Sequence, residues 1–229
     1  MTVGYGQYCP VAKAAEILGE RWTMLIVRDL MEGAHRFSDL HRGLPGISRS
    51  LLADRLRGLE RERVIERRAL GGRPEYWLTS LGEDLKPALL ALGEWAVRNY
   101  SGEPRRDERD PRVLMLWVQR HVRSDALPRG RFAVRFDFRA ARPGRAWLLV
   151  EDGEVSVCDD DPGLEPELVI ATDIPTLHSV FAGRLALAAA LRDGSIRLEG
   201  AAGQVRAFHR WFGYSPFAGA ARSMIARSA

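Results

Sequence analysis

The chain is poor in lysine, in cysteine and in long apolar runs, and each shortage removes a class of explanation. Of its 34 lysines and arginines only Lys13 and Lys86 are lysine. Positive charge therefore comes as planar guanidinium groups, which grip phosphate and guanine through paired hydrogen bonds. Genome base composition produces the same bias, so by itself it selects no partner. The two cysteines, Cys9 and Cys158, are too few and too far apart for a disulfide framework or a zinc cluster. A reducing, cytoplasmic setting is expected. No apolar run approaches the roughly 20 residues that span a bilayer. Met1 to Pro10 lacks the basic start and apolar stretch of a signal peptide, so no membrane is expected among the partners. Catalytic signatures are missing too. His35, His41, His121, His178 and His209 fall at no metal-ligand spacing, and Asp159 to Asp161 lacks the glycine and distal glutamate of a calcium loop. There is no Gly-x-Ser-x-Gly elbow, and the glycine pairs lack the context of a phosphate loop. No catalytic residue, metal or cofactor is expected.

What is present is apolar and charged in ordinary proportion, 46% and 28% of 229 residues, enough for more than one core. The formal net charge is only +4, but it is unevenly spread. Arg36 to Arg73 holds ten arginines against five acids, and such clustering says more about a nucleic-acid partner than the total does. The polar, proline-bounded stretch 101–112 reads as a boundary. It divides the chain into domains over 1–102 and 108–219, and the expected class is α+β.

The first half reads as helices up to a hairpin. Val11, Ala15 and Leu18 share a face that ends at Gly19, and a second apolar period runs through Trp22, Leu25, Ile26 and Leu30 to Gly33. A short helix is expected around Ser38 to Arg42, before a Pro45-Gly46 turn. Ser48 is the expected N-cap of the next helix, with Ile47 stapled onto Leu52. Leu52, Leu56 and Leu59 share one face of that helix, while Arg49, Ser50, Ala53 and Arg57 point away. Strands are expected on either side of Gly71-Gly72, then a helix from Ser80 to Tyr100, kinked or restarted at Pro87.

This is the pattern of a recognition helix followed by a β-wing. Arg49 and Ser50 lie in the first turn, which meets base edges, and Ala53 is small enough to approach a thymine methyl. Arg57 and Arg61 suit phosphates, and Arg73 at the wing tip can reach a minor groove or backbone. Arg36 and Ser48 complete the expected DNA-contact set. Arg55 lies nearer the buried side, where an internal salt bridge is expected. The histidines His35 and His41 flank the scaffold helix as possible phosphate contacts. Taken in order, the Cys-Pro opening, Gly-Glu-Arg-Trp, the Arg-Phe helix start, Leu-Pro-Gly-Ile-Ser and Tyr-Trp-Leu-Thr resemble the HxlR-type winged helix-turn-helix regulators over about residues 5–100. The resemblance implies a homodimer on a roughly two-fold symmetric operator in double-stranded DNA, with residues 5–18 and 82–100 building the interface. Arg63 departs from the family, which usually has glycine there. Some family members sense oxidants with a cysteine matching Cys9. Here a helix N-terminus and Lys13 would favour its thiolate, while packing near the dimer interface is the plainer role.

The second half changes character. Residues 131–139 alternate strictly, with Phe132, Val134, Phe136 and Phe138 on one face. A hairpin turning at Asp152-Gly153, a strand over PELVIAT, a helix capped by Asp173, a small-residue helix, a strand at SIRLEG and a final helix at QVRAFHRWFG follow. The expected architecture is a meander sheet with helices over one face. The Asp-Gly hairpin, the Ala-Gly-Arg-Leu turn and the Asp-Gly-Ser-Ile-Arg-Leu-Glu-Gly strand resemble the sterol-carrier-protein fold over about residues 108–218. That resemblance implies an apolar tunnel for a lipid or other apolar small molecule. Phe132, Val134, Phe136, Phe138, Trp147, Leu177, Phe181, Leu187, Leu191, Phe208 and Phe212 are its candidate lining. The same residues are also what any sheet needs to hold helices. Three functions remain open from sequence: a ligand-responsive DNA-binding regulator, a lipid carrier whose first half only dimerises, and a thiol-responsive regulator acting through Cys9.

Overall fold

The structure, a computed structural model, describes residues 4–70, 72–100, 102–158 and 160–228. Gly71 of the expected wing turn and Asp159 of the acidic run lie outside the described residues. The chain divides into two compact units, Met1–Leu92 and Gly93–Ala229.

In the first unit, α1 (Pro10–Leu18) starts on a proline, whose missing N–H costs nothing in the first turn. It is followed by α2 (Thr23–Met31), α3 (Phe37–Gly43) and α4 (Arg49–Arg61). Strands β1 (Ile65–Leu70) and β2 (Arg73–Leu78) pair antiparallel, Ile65 opposite Leu78. Arg36 adds an isolated antiparallel bridge to Glu75. Ile26, Val27, Leu30, Leu40, Leu52, Leu56 and Leu59 of the helices, with Leu44 after α3, close on Val64 and Ile65, all at most 3% exposed. The long helix expected from Ser80 is two: α5 (Ser80–Glu83) and α6 (Lys86–Tyr100). Thr79 caps the first by accepting from the Gly82 N–H at 3.3 Å. The break at Asp84-Leu85 puts Pro87 in the opening turn of α6, where a proline is tolerated. Neither α1 nor α6 contains a buried residue.

The second unit opens its regular core with α7 (Pro111–Arg120), capped by Asp110, whose carboxylate accepts from the Arg112 N–H at 2.9 Å. Five strands follow: β3 (Phe132–Phe138), β4 (Arg145–Glu151), β5 (Glu154–Cys158), β6 (Pro166–Thr172) and β7 (Arg197–Gly200). Their order is β5-β4-β3-β6-β7, and β6 runs parallel to β3. The sheet is therefore not the meander expected. β3, the first strand in sequence, lies at the centre, and the chain passes from the β5 edge to the far side of β3. The β4–β5 hairpin does turn at Asp152-Gly153, both with positive φ, 52° and 87°, as a two-residue turn matched to strand twist requires.

Helices α8 (Ile174–Phe181), α9 (Leu187–Arg192) and α10 (Ala202–Trp211) complete the core with α7. Asp173 caps α8 by accepting from the Thr176 N–H at 2.8 Å. Leu114, Met115 and Val118 of α7 and the buried apolar residues of α8, α9 and α10 join Phe132, Val134, Phe136 and Phe138 in one cluster. A last helix, α11 (Ala218–Ser228), lies mostly beyond the expected domain end at 219. Its alanines and serines carry too little apolar contrast to mark a period. No described helix is long and apolar enough to cross a membrane.

Candidate nucleic-acid interface

The helix-turn-helix is built from local signals. Leu44 and Ile47, 1% and 4% exposed, seal the turn between α3 and α4. Gly46 takes φ 88° there, a value that costs glycine nothing. The Ser48 hydroxyl accepts from the Leu51 N–H at 3.2 Å, satisfying a donor that the first helical turn leaves open. Leu52, Leu56 and Leu59 face inward at 0–2% exposure. Arg49, Ser50 and Arg57 are exposed along the opposite side, with Ala53 half-buried between them. A row of 13 residues makes a rod about 20 Å long.

Two further groups fix how that rod is held, and sequence reading found only part of each. Arg55 faces inward as expected; its partner is Glu20, and its Nε donates to the Arg21 carbonyl at 3.1 Å. The Gly-Glu-Arg-Trp segment thus clasps α4, with Arg21 over the Trp22 ring at 4.9 Å. At the wing, His35 stacks on Trp77 with ring centroids 3.6 Å apart, and its Nδ1 lies 3.1 Å from the Tyr76 carbonyl. Arg68 covers the same indole at 5.0 Å. His35 is therefore engaged by the wing rather than standing free for phosphate, and His41 lies beside Phe37. No periodicity signals the Glu20–Arg55 and His35–Trp77 contacts, because each joins distant parts of the sequence.

The expected DNA-contact residues fall into two electrostatic groups. Arg49, Arg61 and Arg73 are exposed and make no ion pair among the described residues; the Arg49 guanidinium lies 6.0 Å from the Phe37 ring. Arg57 is paired with Asp54 on the next turn, and Arg36 with Glu75 of β2 at 3.3 Å. These two must exchange a carboxylate for a phosphate before they contribute. Arg63 stands at the corner between α4 and β1 with φ 57°, a left-handed conformation that explains the glycine usual in the family. Thr79 steadies the corner by donating its hydroxyl to the Arg63 carbonyl at 2.7 Å.

Cys9 is half-buried at the N-cap position of α1. Lys13, expected to favour its thiolate, is instead bound to Glu16 at 3.0 Å, and that contact is the main reason the Glu16 carboxyl is held below its usual range.

In the second unit the candidate lining residues separate. Phe132, Val134, Phe136, Phe138, Leu177, Phe181, Phe208 and Phe212 are 0–6% exposed and pack together in the core. Trp147 does not join them. It is opposite Arg135 in the β3–β4 register, whereas Val134 and Phe136 face Leu148 and Ala146, so Trp147 lies on the other face of the sheet. Leu187 and Leu191 line a surface groove of about 560 Å³, shared with Leu185, His209 and Tyr214.

Helix, turn, helix and two-stranded wing define the first unit as a winged helix-turn-helix. The sequence profile of the HxlR-like helix-turn-helix family matches residues 17–104. The uncharacterized HTH-type transcriptional regulator YvaP of Bacillus subtilis (strain 168) is 40% identical over 95 residues, 40% of this chain and 88% of that protein. YtfH of Escherichia coli (strain K12), of the same description, is 38% identical over 98 residues, 42% of this chain and 78% of that one. The reduced form of the transcriptional regulator YodB from B. subtilis is a similar solved structure, 33% identical over 42% of this chain and 97% of that one, with a TM-score of 0.37. The chain belongs to the HxlR-like helix-turn-helix family, through a matched stretch that stops at residue 104.

Proposed function

We propose that this chain is a DNA-binding transcriptional regulator that acts as a homodimer and responds to a small molecule through its second unit. One observation carries the DNA reading. The face of α4 opposite Leu52, Leu56 and Leu59 is exposed, and it bears Arg49, Ser50 and Arg57 where a major groove would meet it. Dimerisation is supported by apolar side chains left uncovered. Tyr8, Val11, Leu81 and Leu92 are about half to fully exposed, on helices or segments that bury little of their own. Two copies set by a two-fold axis would present two recognition helices to successive major grooves, about 34 Å apart.

The ligand-responsive part of the reading rests on the second unit's concave surfaces and on its likeness in order of elements to the sterol-carrier fold. A ligand regulates only if it prefers one arrangement of the recognition helices; equal preference shifts nothing, however tight the binding.

The test is titration of DNA from upstream of the chain's own gene, followed by fluorescence anisotropy at rising salt. A regulator contacting several phosphates per protomer loses affinity steeply, with log K falling by roughly 0.9 for each neutralised phosphate per decade of salt. A shallow slope with no preference over unrelated DNA of equal length would reject the reading.

A further inference from the structure

A cleft of about 600 Å³ lies within Gly93–Ala229, away from the sheet's helix-covered core. Its walls are apolar: Val97 of α6, Pro104 of the following segment, Ala182 after α8, and Phe217 ahead of α11. Phe217 sits so close to α6 that a Cβ on Gly93 would lie 2.2 Å from its ring. That glycine is thus what lets the wall close. The polar lining of the cleft comprises Arg184, His178 and Ser215, with Glu103, Arg105 and Glu108 from the segment after α6.

Arg184 belongs to the Ala-Gly-Arg-Leu turn. Gly183 takes φ 76°, and the Arg184 N–H donates to the Ser179 carbonyl at 2.8 Å. The turn sets the guanidinium against α8. There it donates to the Gly102 carbonyl and, at 2.8 Å, to Nδ1 of His178. Both partners are neutral, since an imidazole nitrogen that accepts from a guanidinium carries no proton. Among the described residues Arg184 makes no ion pair. The carboxylates nearby are committed elsewhere. Glu108 is held by the Arg105 guanidinium and backbone N–H, each at 2.8 Å. Glu103 is paired with Arg109 at 3.8 Å and reaches Arg184 only through its longer-range field. Burial disfavours the charged form of both Arg184 and His178.

A partly buried guanidinium with only neutral partners is a charge short of its counterion. Apolar walls beside it call for a hydrocarbon or aromatic body. Glu103 and Glu108 in the same lining make a dianion such as a phosphate monoester a poor fit. We propose that this cleft is a receptor for an apolar monocarboxylate, whose carboxylate pairs with Arg184 and whose body lies between Val97, Pro104 and Phe217. The site gives the small-molecule response proposed above a ligand class and a place. Its regulatory meaning rests on that reading, but its existence does not. The groove at Leu187 and Leu191 also carries a guanidinium, Arg222, but that one is exposed and lies over the Tyr214 ring at 4.6 Å.

The experiment is calorimetric titration of the full chain, without DNA, with 2-naphthoate and octanoate and with their neutral amides. At least one acid should bind saturably, one per chain, and its amide about tenfold more weakly. Arg184→Gln should bind that acid about tenfold more weakly while keeping the wild-type melting profile. Ala96→Leu, which narrows the cleft from α6 and leaves Arg184 in place, should weaken acid and amide alike. Equal binding of acid and amide by the unaltered protein would overturn the proposal without need of any variant. So would no binding of either acid at millimolar concentration, or undiminished binding by folded Arg184→Gln. Because no DNA is present, failure here leaves the regulator reading intact, and failure of that reading leaves this result intact.

Discussion

In Met1–Leu92 the buried core is aliphatic: twelve described residues, from Ile26 to Ile65, with no aromatic among them. In Gly93–Ala229 the corresponding cluster holds twenty-two, seven of them Phe or Trp, and Phe136, Phe208, Trp211 and Phe212 are fully covered. The first unit also leaves Tyr8, Val11 and Leu81 exposed. Burial stabilises at roughly 25 cal/mol per Å² of apolar area, so the second unit holds most of its stabilisation within itself. The first has the smaller core; the second leaves Trp95, Tyr100 and Ile225 exposed but sets them against a larger one. On the reading proposed above, the unit that meets a partner and a nucleic acid keeps its chemistry outside, and the other puts it inside.

The strongest way to break that contrast is to damage the aromatic core. Phe208→Ala removes a side chain at 0% exposure that meets Trp211 and Phe212 with ring centroids 5.0 and 5.2 Å away. It should cost the second unit about 3–5 kcal/mol, read as a lower urea midpoint. A loss below about 1 kcal/mol would mean that this core is looser than its burial implies. The first unit offers the complementary test. If its exposed apolar surface is covered by a second copy, the midpoint of its own transition should rise with protein concentration. A midpoint independent of concentration would remove the case for a partner.

The next effect belongs to the first unit's outer face. Arg49→Ala should cost about 1–3 kcal/mol on the preferred DNA and relax selectivity at one base position. Arg61→Ala should weaken all sequences alike and lower the salt slope by about one. Arg57→Ala should do less than Arg61→Ala, because Arg57 is already shared with Asp54. Competition binding on a set of single-base operator variants separates the three. Equal selectivity profiles for the Arg49 and Arg61 variants would cancel the assignment of roles.

What could be read from sequence was whatever is local. The Ser48 cap, the leucine period of α4, the two wing strands and the Asp152-Gly153 turn depend on residues a few positions apart, and all are present. The phenylalanine face of β3 followed from strict alternation. β4 offers no such guide, because Ala146 to Val150 is apolar on both faces, so sequence cannot tell that Trp147, expected in the lining, lies on the opposite face. The parallel β3–β6 pairing and the central place of β3 are choices of long-range topology that no short window encodes. The Glu20–Arg55 clasp and the Arg184–His178 contact join residues at spacings that mark no helix face. Arg63 was different: its departure from the family's glycine was visible in the sequence, and the structure supplies the reason.

That reason gives a smaller, sharper test within the first unit. Arg63 holds φ 57°, which costs a non-glycine residue about 1 kcal/mol. Arg63→Gly should stabilise the first unit by up to about that amount, offset in part by the greater freedom of glycine in the unfolded chain. Thermal melts at fixed concentration would register it as a rise of a few degrees. A fall would show that the arginine side chain contributes more than the backbone loses.

The smallest effect sits in the second unit and has a definite sign. Burial first, and the Arg184 charge second, hold the His178 imidazole below its ordinary value, while Glu108 pulls weakly the other way. A free histidine titrates near about 6.5. Above that pH both folded and unfolded chains carry a neutral His178, and the group contributes no pH dependence. As the pH falls below it, the unfolded chain takes up a proton that the folded one refuses, so stability declines until the folded pKa is reached. His178→Gln removes that proton uptake from both states. Melting temperatures of the two proteins should therefore converge as the pH drops from 7.5 toward 5, provided the variant starts lower. Parallel curves across that range would mean His178 is as free to protonate in the fold as outside it, and that the contact with Arg184 does not hold it neutral.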